Sequence, residues 1–269
     1  MSRKFLEFKM NIKPKKRFGQ NFLVNKQIQQ KIVDAAEVNN EEVIEIGPGL
    51  GALTNLMIPK VKSLCAYEVD NEIYEYWQNK EIPDNITFIN EDFLKANLAS
   101  ETKKVVIGNI PYNITSLILF KLINELHFIK RATLMIQKEV AERLIAKPCT
   151  KEYGKLSVSI QTMADIHKIV TVKAQNFIPV PKVDSMVIRI DFKKNIPIIK
   201  DLESYLKFIS ICFQFKRKTL INNLINIFDK KDIQNILNNM SINLNSRPEE
   251  LSVKQYIELF EKTKSTIKK

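Results

Sequence analysis

The chain has 269 residues, 45% of them hydrophobic, which is enough for a packed core and argues against disorder. No apolar stretch approaches the roughly 18 residues needed to span a bilayer. Three scattered cysteines and two histidines argue against a disulfide framework or a metal site. Lysine and arginine number 42 against 30 acidic residues, a net charge of +12. Such an excess favours a polyanionic partner, nucleic acid before membrane.

The N-terminal segment, residues 1–17, is basic and lacks the apolar run and small-residue cleavage site of a secretory signal. Cys65, Cys149 and Cys212 sit among apolar neighbours and read as small buried thiols in a reduced, cytoplasmic setting. A chain rich in Lys, Asn and Ile gains positive charge from AT-rich coding alone. The basic residues are clustered, however: Lys13, Lys15, Lys16 and Arg17 form one group, and Lys216, Arg217 and Lys218 another. Clustering favours contact with nucleic-acid phosphates.

After the arm comes Phe18-Gly19-Gln20-Asn21-Phe22-Leu23, then an amphipathic helix through Ile28, Ile32, Val33 and Ala36. A short buried strand over 43–46 runs into Gly47-Pro48-Gly49-Leu50-Gly51, and a helix through Leu56, Ile58 and Val61 follows. Further strands are predicted over 63–69, ending in Glu68 and Asp70; over 86–90, ending in Glu91 and Asp92; and over 105–107, ending in Asn109. Others are predicted over 132–136, 169–172 and 186–192, with helices over 117–126 and 139–146. From Asp201 the apolar spacing is helical throughout, with a last helix from Val253 through Phe260. The expected architecture is α/β: a Rossmann-like, mostly parallel sheet over 1–195 and a small all-helical domain over 196–269.

Ligands of open parallel sheets bind beyond the C-terminal strand ends. That rule gathers the Gly-rich turn, Glu68, Asp92 and Asn109 on one rim. The Gly-x-Gly-x-Gly spacing is not the dinucleotide fingerprint, but it lets a ligand approach the backbone closely. Glu68 lies where an acid grips ribose hydroxyls. The combination suits NAD or S-adenosylmethionine; the loop spacing, and Asp92 as an acceptor for an adenine amine, favour the latter. Glu45, just before the glycines, is expected to face the cationic methionine moiety.

Asn109-Ile110-Pro111-Tyr112 ends the strand over 105–107. Pro111 biases Ile110 away from the helical region, so its carbonyl projects outward. The Asn109 side chain offers a second acceptor. Two acceptors beside an aromatic face suit a planar ring carrying an exocyclic amine, such as adenine.

With these residues in view, the chain resembles the KsgA family of small-subunit ribosomal RNA adenine dimethyltransferases over nearly its whole length. The resemblance implies that Asn21, Leu23, Gly47, Gly49, Glu68, Asp92 and Asn109 line an S-adenosylmethionine site. It implies that Asn109, Ile110, Pro111 and Tyr112 present the target amine. In the loop Phe177-Ile178-Pro179-Val180-Pro181-Lys182-Val183-Asp184-Ser185, it implies that Phe177 stacks on the flipped adenine opposite Tyr112. Phe215-Lys216-Arg217-Lys218-Thr219-Leu220 resembles the family's basic helix. Tyr153-Gly154-Lys155-Leu156-Ser157-Val158 resembles a further segment of the family.

The implied activity is N6,N6-dimethylation of two adjacent adenosines in the 3′-terminal helix loop of small-subunit ribosomal RNA, late in subunit assembly. A monomer acting on the immature small subunit is expected. Relatives that methylate large-subunit RNA and give macrolide resistance share the first motifs, but usually carry Ser for Gly19 and Asn for Asp184, and lack the basic helix. Rival readings are a non-catalytic assembly or transcription factor and a DNA adenine methyltransferase.

Overall fold

The computed structural model describes residues 13–196, 199–215 and 217–264. They divide into two compact units, one comprising the chain to residue 141 with 166–192, the other 142–165 with 193–264. The division differs from a single cut near residue 195. The last crossing lies close to that point, but residues 142–165 leave the first unit earlier and belong to the second.

In the first unit, β1 (Phe22–Leu23) precedes α1 (Lys26–Ala36), whose first turn is capped by Asn25 accepting from the Gln27 and Ile28 N–H groups. Ile32, Val33 and Ala36 recur at helical spacing and are buried. Next come β2 (Glu42–Ile46), the short α2 (Thr54–Met57), β3 (Ser63–Tyr67), α3 (Asn71–Gln78) and β4 (Ile86–Ile89). After these lie β5 (Lys104–Asn109), α4 (Thr115–Asn124) and β6 (Ile129–Gln137); in chain order there follow α5 (Lys138–Ile145), which crosses the boundary at residue 141, and α6 (Lys155–Met163), which belongs to the second unit. β7 (Ala164–Val172), β8 (Phe177–Ile178) and β9 (Ser185–Phe192) complete the strands.

Seven strands form one sheet in the order β4-β3-β2-β5-β6-β9-β7. β4, β3, β2, β5 and β6 pair in parallel, and β9 runs antiparallel to β6. The run Val105-Val106-Ile107 in β5 is wholly buried, as expected of a strand covered on both faces. The order reverses beside β2, with β3 and β4 to one side and β5 and β6 to the other. That reversal opens a crevice between the C-terminal ends of β2 and β5. A separate antiparallel pair, β1 with β8, joins Leu23 to Phe177.

The second unit, taken by itself, holds α6, α7 (Leu202–Cys212), α8 (Leu220–Leu224), α9 (Lys230–Asn239) and α10 (Val253–Thr263). Ser252 and Gln255 form a capping box that starts α10. Tyr205 and Tyr256 are fully buried, and their hydroxyls reach Thr162 Oγ1 at 2.9 Å and the Pro248 carbonyl at 2.6 Å. The helix α6, over the Tyr153–Val158 motif, thereby acquires a structural role, since Thr162 and the buried Tyr153 belong to this core. Cys212 is buried as expected; Cys65 is half-buried, and Cys149 is exposed, in a turn where it takes φ 67°. Among the described residues no helix is long and apolar enough to cross a membrane, and no group of three or more His, Cys, Asp or Glu could hold a metal.

Candidate active site

At the rim predicted from the strand ends lies a cavity of about 490 Å³, lined by residues 18–24, the Gly-rich turn, Glu68, Asp92 and residues 109–112. Its floor is the turn after β2. Gly47, Gly49 and Gly51 take φ of 68°, 50° and 87°, a region L side chains rarely adopt. A Cβ at Gly51 would stand 2.4 Å from Asn55 Nδ2 and 2.9 Å from the Trp77 ring. A Cβ at Gly47 would meet no protein atom within 4 Å, so the missing side chain leaves room for a ligand against the backbone.

Trp77 braces this turn, and nothing in the sequence pattern singled it out. Its Nε1 donates to the Gly49 carbonyl at 2.8 Å, and its ring stacks on Phe88 with centroids 4.4 Å apart. It sits on α3, a helix the apolar spacing did not separate from its surroundings.

Glu68 follows β3 and is nearly buried. Its Oε1 accepts the Asp70 N–H at 2.9 Å and its Oε2 the Gly49 N–H at 3.3 Å. Burial raises its pKa, and those backbone donors oppose the rise. Asp92 is half-buried; its Oδ1 accepts the Leu94 N–H at 2.9 Å, starting a single helical turn. Glu45 is 1% exposed, and Thr54 Oγ1 donates to its Oε2 at 2.8 Å. Burial pushes its carboxyl up to about 8, Thr54 opposes this, and the neighbouring Glu68 charge adds to it.

The Asn109 amide is oriented by a specific contact: Nδ2 donates to the Asn21 carbonyl at 2.8 Å, which leaves Oδ1 as the available acceptor. The Ile110 N–H donates to the Met135 carbonyl at 3.0 Å, extending the β5–β6 pairing by one residue. Among the described residues no backbone donor reaches the Ile110 carbonyl. Pro111 has φ −56° and ψ 133° and starts the turn that carries Tyr112. The Tyr112 hydroxyl lies 2.8 Å from the buried Ser185 Oγ, which fixes the ring. Burial raises the Tyr112 phenol, and the bond to Ser185 opposes that rise.

Asn21 and Leu23 both line the cavity, Leu23 held by the β1–β8 pairing and Asn21 by its carbonyl's bond from Asn109 Nδ2. Phe177 departs from expectation. It is 1% exposed, packs in the core cluster with Leu23, Ile32 and Met135, and does not line the cavity. The pairing that places Leu23 at the pocket turns the Phe177 ring into the core, so no second stacking face is presented here.

The basic residues are also redistributed. Lys15 is not a free cation: Nζ lies 2.6 Å from Asp70 Oδ1 and 2.8 Å from Glu72 Oε1. Lys16 and Arg17 are exposed, and the Arg17 guanidinium lies 4.6 Å from the Phe18 ring centroid. Lys216 lies outside the described residues. Arg217 and Lys218 are exposed in a turn leading into α8, not on a helix. Buried Asn223 shapes that turn: its Oδ1 accepts the Phe215 N–H at 2.8 Å and its Nδ2 donates to the Thr219 carbonyl at 3.1 Å. Asp184 closes another loop, accepting from Lys173 Nζ at 2.9 Å and the Ala174 N–H at 3.1 Å.

A sheet in this order, with β9 antiparallel to β6 beyond a run of five parallel strands and a Gly-rich turn opening onto its reversal point, is that of an S-adenosylmethionine-dependent methyltransferase. The chain belongs to the ribosomal RNA adenine dimethylase family, which it matches over residues 11–265. It is 51% identical over 252 residues to a ribosomal RNA small subunit methyltransferase A of Metamycoplasma arthritidis, covering 94% of this chain and 97% of that one. Against the namesake from Mycoplasma mobile the identity is 45%, over 91% of this chain and 96% of that one. Among solved structures, a dimethyladenosine transferase from Plasmodium falciparum superposes with a TM-score of 0.79 at 25% identity, over 91% of this chain and 98% of that one. The 23S rRNA methyltransferase ErmE gives 0.69 at 26% identity, over 90% and 99%.

Proposed function

We propose that this enzyme dimethylates N6 of two adjacent adenosines in the 3′-terminal helix loop of small-subunit ribosomal RNA, acting as a monomer on the immature subunit. The observation that carries the reading is the Asn109 amide: tied through Nδ2 to Asn21, it keeps Oδ1 as an acceptor on a residue that lines the Gly-rich cavity together with Ile110.

S-adenosylmethionine, when bound, supplies a methyl group on a cationic sulfonium. Gly47 and Gly49 admit it close to the backbone, Glu68 is placed for its ribose hydroxyls, and Asp92 keeps one carboxylate oxygen for its adenine amine. Asn21 and Leu23 cover it from the N-terminal side.

The target amine is a poor nucleophile, because its lone pair is delocalised into the purine ring. In the first transfer Asn109 Oδ1 and the Ile110 carbonyl accept its two hydrogens and favour a pyramidal nitrogen with its lone pair directed along the line of attack; in the second, one of the two acceptors holds the single remaining hydrogen. The protein contribution is therefore positioning and electrostatics. Tyr112 stacks on one face of the base, its hydroxyl held by Ser185. Its phenol, raised by burial, stays neutral and takes no proton. The methylated nitrogen is an acidic ammonium and loses its proton to water. Phe177 closes the second face only if its ring leaves the core.

Lys16, Arg17, Arg217 and Lys218 supply phosphate contacts, and binding weakens steeply with salt. The likeness to ErmE covers nearly the whole chain, so the fold does not separate small- from large-subunit targets. Gly19, Asp184 and the basic turn favour the small subunit. The deciding experiment offers labelled methyl donor with immature small subunits, naked small-subunit RNA, naked large-subunit RNA or DNA. Label in the small-subunit samples supports the proposal; label confined to large-subunit RNA or DNA overturns it.

A further inference from the structure

Lys15, three residues ahead of the cavity-lining segment 18–24, is engaged with protein. Lys15 Nζ bridges Asp70 Oδ1 at 2.6 Å and Glu72 Oε1 at 2.8 Å. Gln20 closes a ring about the same carboxylate: its Nε2 donates to Asp70 Oδ2 at 2.8 Å and its Oε1 accepts the Lys15 N–H at 2.7 Å. The Asp70 side chain is 1% exposed and that of Lys15 22%, so the pair is sheltered rather than a surface bridge. Burial alone would raise the Asp70 carboxyl; donors from Lys15, Gln20 and the Glu72 N–H outweigh it and hold it below its ordinary value.

The ring is joined to the cavity on two sides. The Asp70 N–H donates to Glu68 Oε1, and Glu68 Oε2 accepts the Gly49 N–H. The next residue after Gln20, Asn21, gives its carbonyl to Asn109 Nδ2. Segment 13–24 forms one wall of the cavity through residues 18–24. Its end is held by the β1–β8 pairing, by Gln29 Nε2 on the Leu23 carbonyl and by the Val24 N–H on the Asn176 carbonyl. Residues 15–20, by contrast, make their polar contacts with the rest of the described chain through the Asp70 and Glu72 carboxylates.

We propose that Lys15 is a positioning residue of the methyl-donor site: with Gln20 it fastens the N-terminal segment to the Asp70 carboxylate, keeping Asn21, Leu23 and Glu68 in register around the cavity. This rests on the cavity being the S-adenosylmethionine site. It assigns Lys15 a role different from that of its exposed neighbour Lys16, although sequence places both in one basic cluster. A phosphate drawing Lys15 away would leave a buried carboxylate short of its cation, which opposes that use.

The test compares the full-length protein with Lys15→Gln, Lys15→Arg, Asp70→Asn and the Lys15→Gln/Asp70→Asn double variant. S-adenosylhomocysteine affinity is read by titration calorimetry, and RNA affinity across a salt series. Loss of a charge-assisted contact predicts a Kd for S-adenosylhomocysteine raised about tenfold in each charge-removing single variant. The double variant is no worse than the weaker single, because each substitution removes the same interaction. Lys15→Arg stays close to the wild type. In turnover the KM for the methyl donor rises while kcat at saturation stays within about twofold, which simple unfolding would not produce.

The RNA salt slope stays unchanged in Lys15→Gln. The proposal is overturned if Lys15→Gln binds S-adenosylhomocysteine like the wild type while the slope drops by about one, the signature of a lost phosphate contact. It is also overturned if the two single effects add. Failure of the wild type to bind S-adenosylhomocysteine would instead remove the cofactor assignment itself, and this proposal with it.

Discussion

Replacing Asn109 by alanine separates orientation of the amine from binding of the methyl donor. The substitution deletes two things: the Nδ2 bond to the Asn21 carbonyl at 2.8 Å, and the Oδ1 acceptor. The first is an ordinary net hydrogen bond of about 1 kcal/mol, so methyl-donor affinity falls by no more than about tenfold. The second is a preorganised contact that strengthens as the amine becomes tetrahedral. Groups of that kind are worth roughly 3–4 kcal/mol, or a 10²–10³-fold drop in kcat. Single-turnover methyl transfer at saturating donor, with a parallel titration of S-adenosylhomocysteine, separates the two. A kcat within a few-fold of wild type would refute the orienting role. So would a binding loss large enough to account for the whole defect.

Phe177→Leu keeps most of the buried volume but has no π face, whereas Phe177→Ala costs about 3–5 kcal/mol of stability in urea unfolding. If Phe177 is only core, Phe177→Leu methylates normally; if the ring swings out to stack, Phe177→Leu loses RNA affinity and rate with little change in stability. Gly51→Ala places a Cβ against Asn55 and Trp77 at φ 87°, so both unfolding midpoint and methyl-donor affinity fall; an unchanged midpoint would refute the close-packed turn. Glu45 gives a pH signature. Its folded pKa of about 8 lies above its ordinary 4.5, so the folded state holds the extra proton. Stability from this group is fully present below pH about 4.5 and is lost as pH rises through about 8. Glu45→Gln flattens that part of the stability profile in urea titrations, and an unaltered profile would exclude the buried neutral carboxyl.

Much of the site was legible because four of its parts terminate strands, and strand ends in a parallel sheet share one rim. The alternation of buried runs with helical spacing located all seven sheet strands: β-branched residues concentrate in the central ones, which are covered on both faces, whereas the edge strand β7 is legible only over its apolar end. The core position of Phe177 is not legible in the sequence, because an aromatic residue in a Pro-rich loop carries no sign of which way its ring turns; the two-residue pairing with Leu23 decides that here. Lys15 and Lys16 look alike in sequence, yet one finds a buried acid 55 positions away and the other stays exposed. Trp77 and Asp70 support the site through contacts with the Gly-rich turn and the N-terminal segment, which local patterns do not encode. Likewise, nothing in the spacing over 142–165 marks it for the helical unit, since its buried Tyr153 and Thr162 are read only against Tyr205 and α10.

The central claim is that two fixed acceptors at the end of β5 present an adenine amine for methyl transfer. It is tested most directly by digesting small-subunit RNA after incubation with the enzyme and S-adenosylmethionine, and weighing the modified nucleosides. The account predicts N6,N6-dimethyladenosine from two adjacent positions with the wild type, formed roughly 10²–10³-fold more slowly with Asn109→Ala. Methyl groups on a ring nitrogen, on ribose or on another base would contradict it.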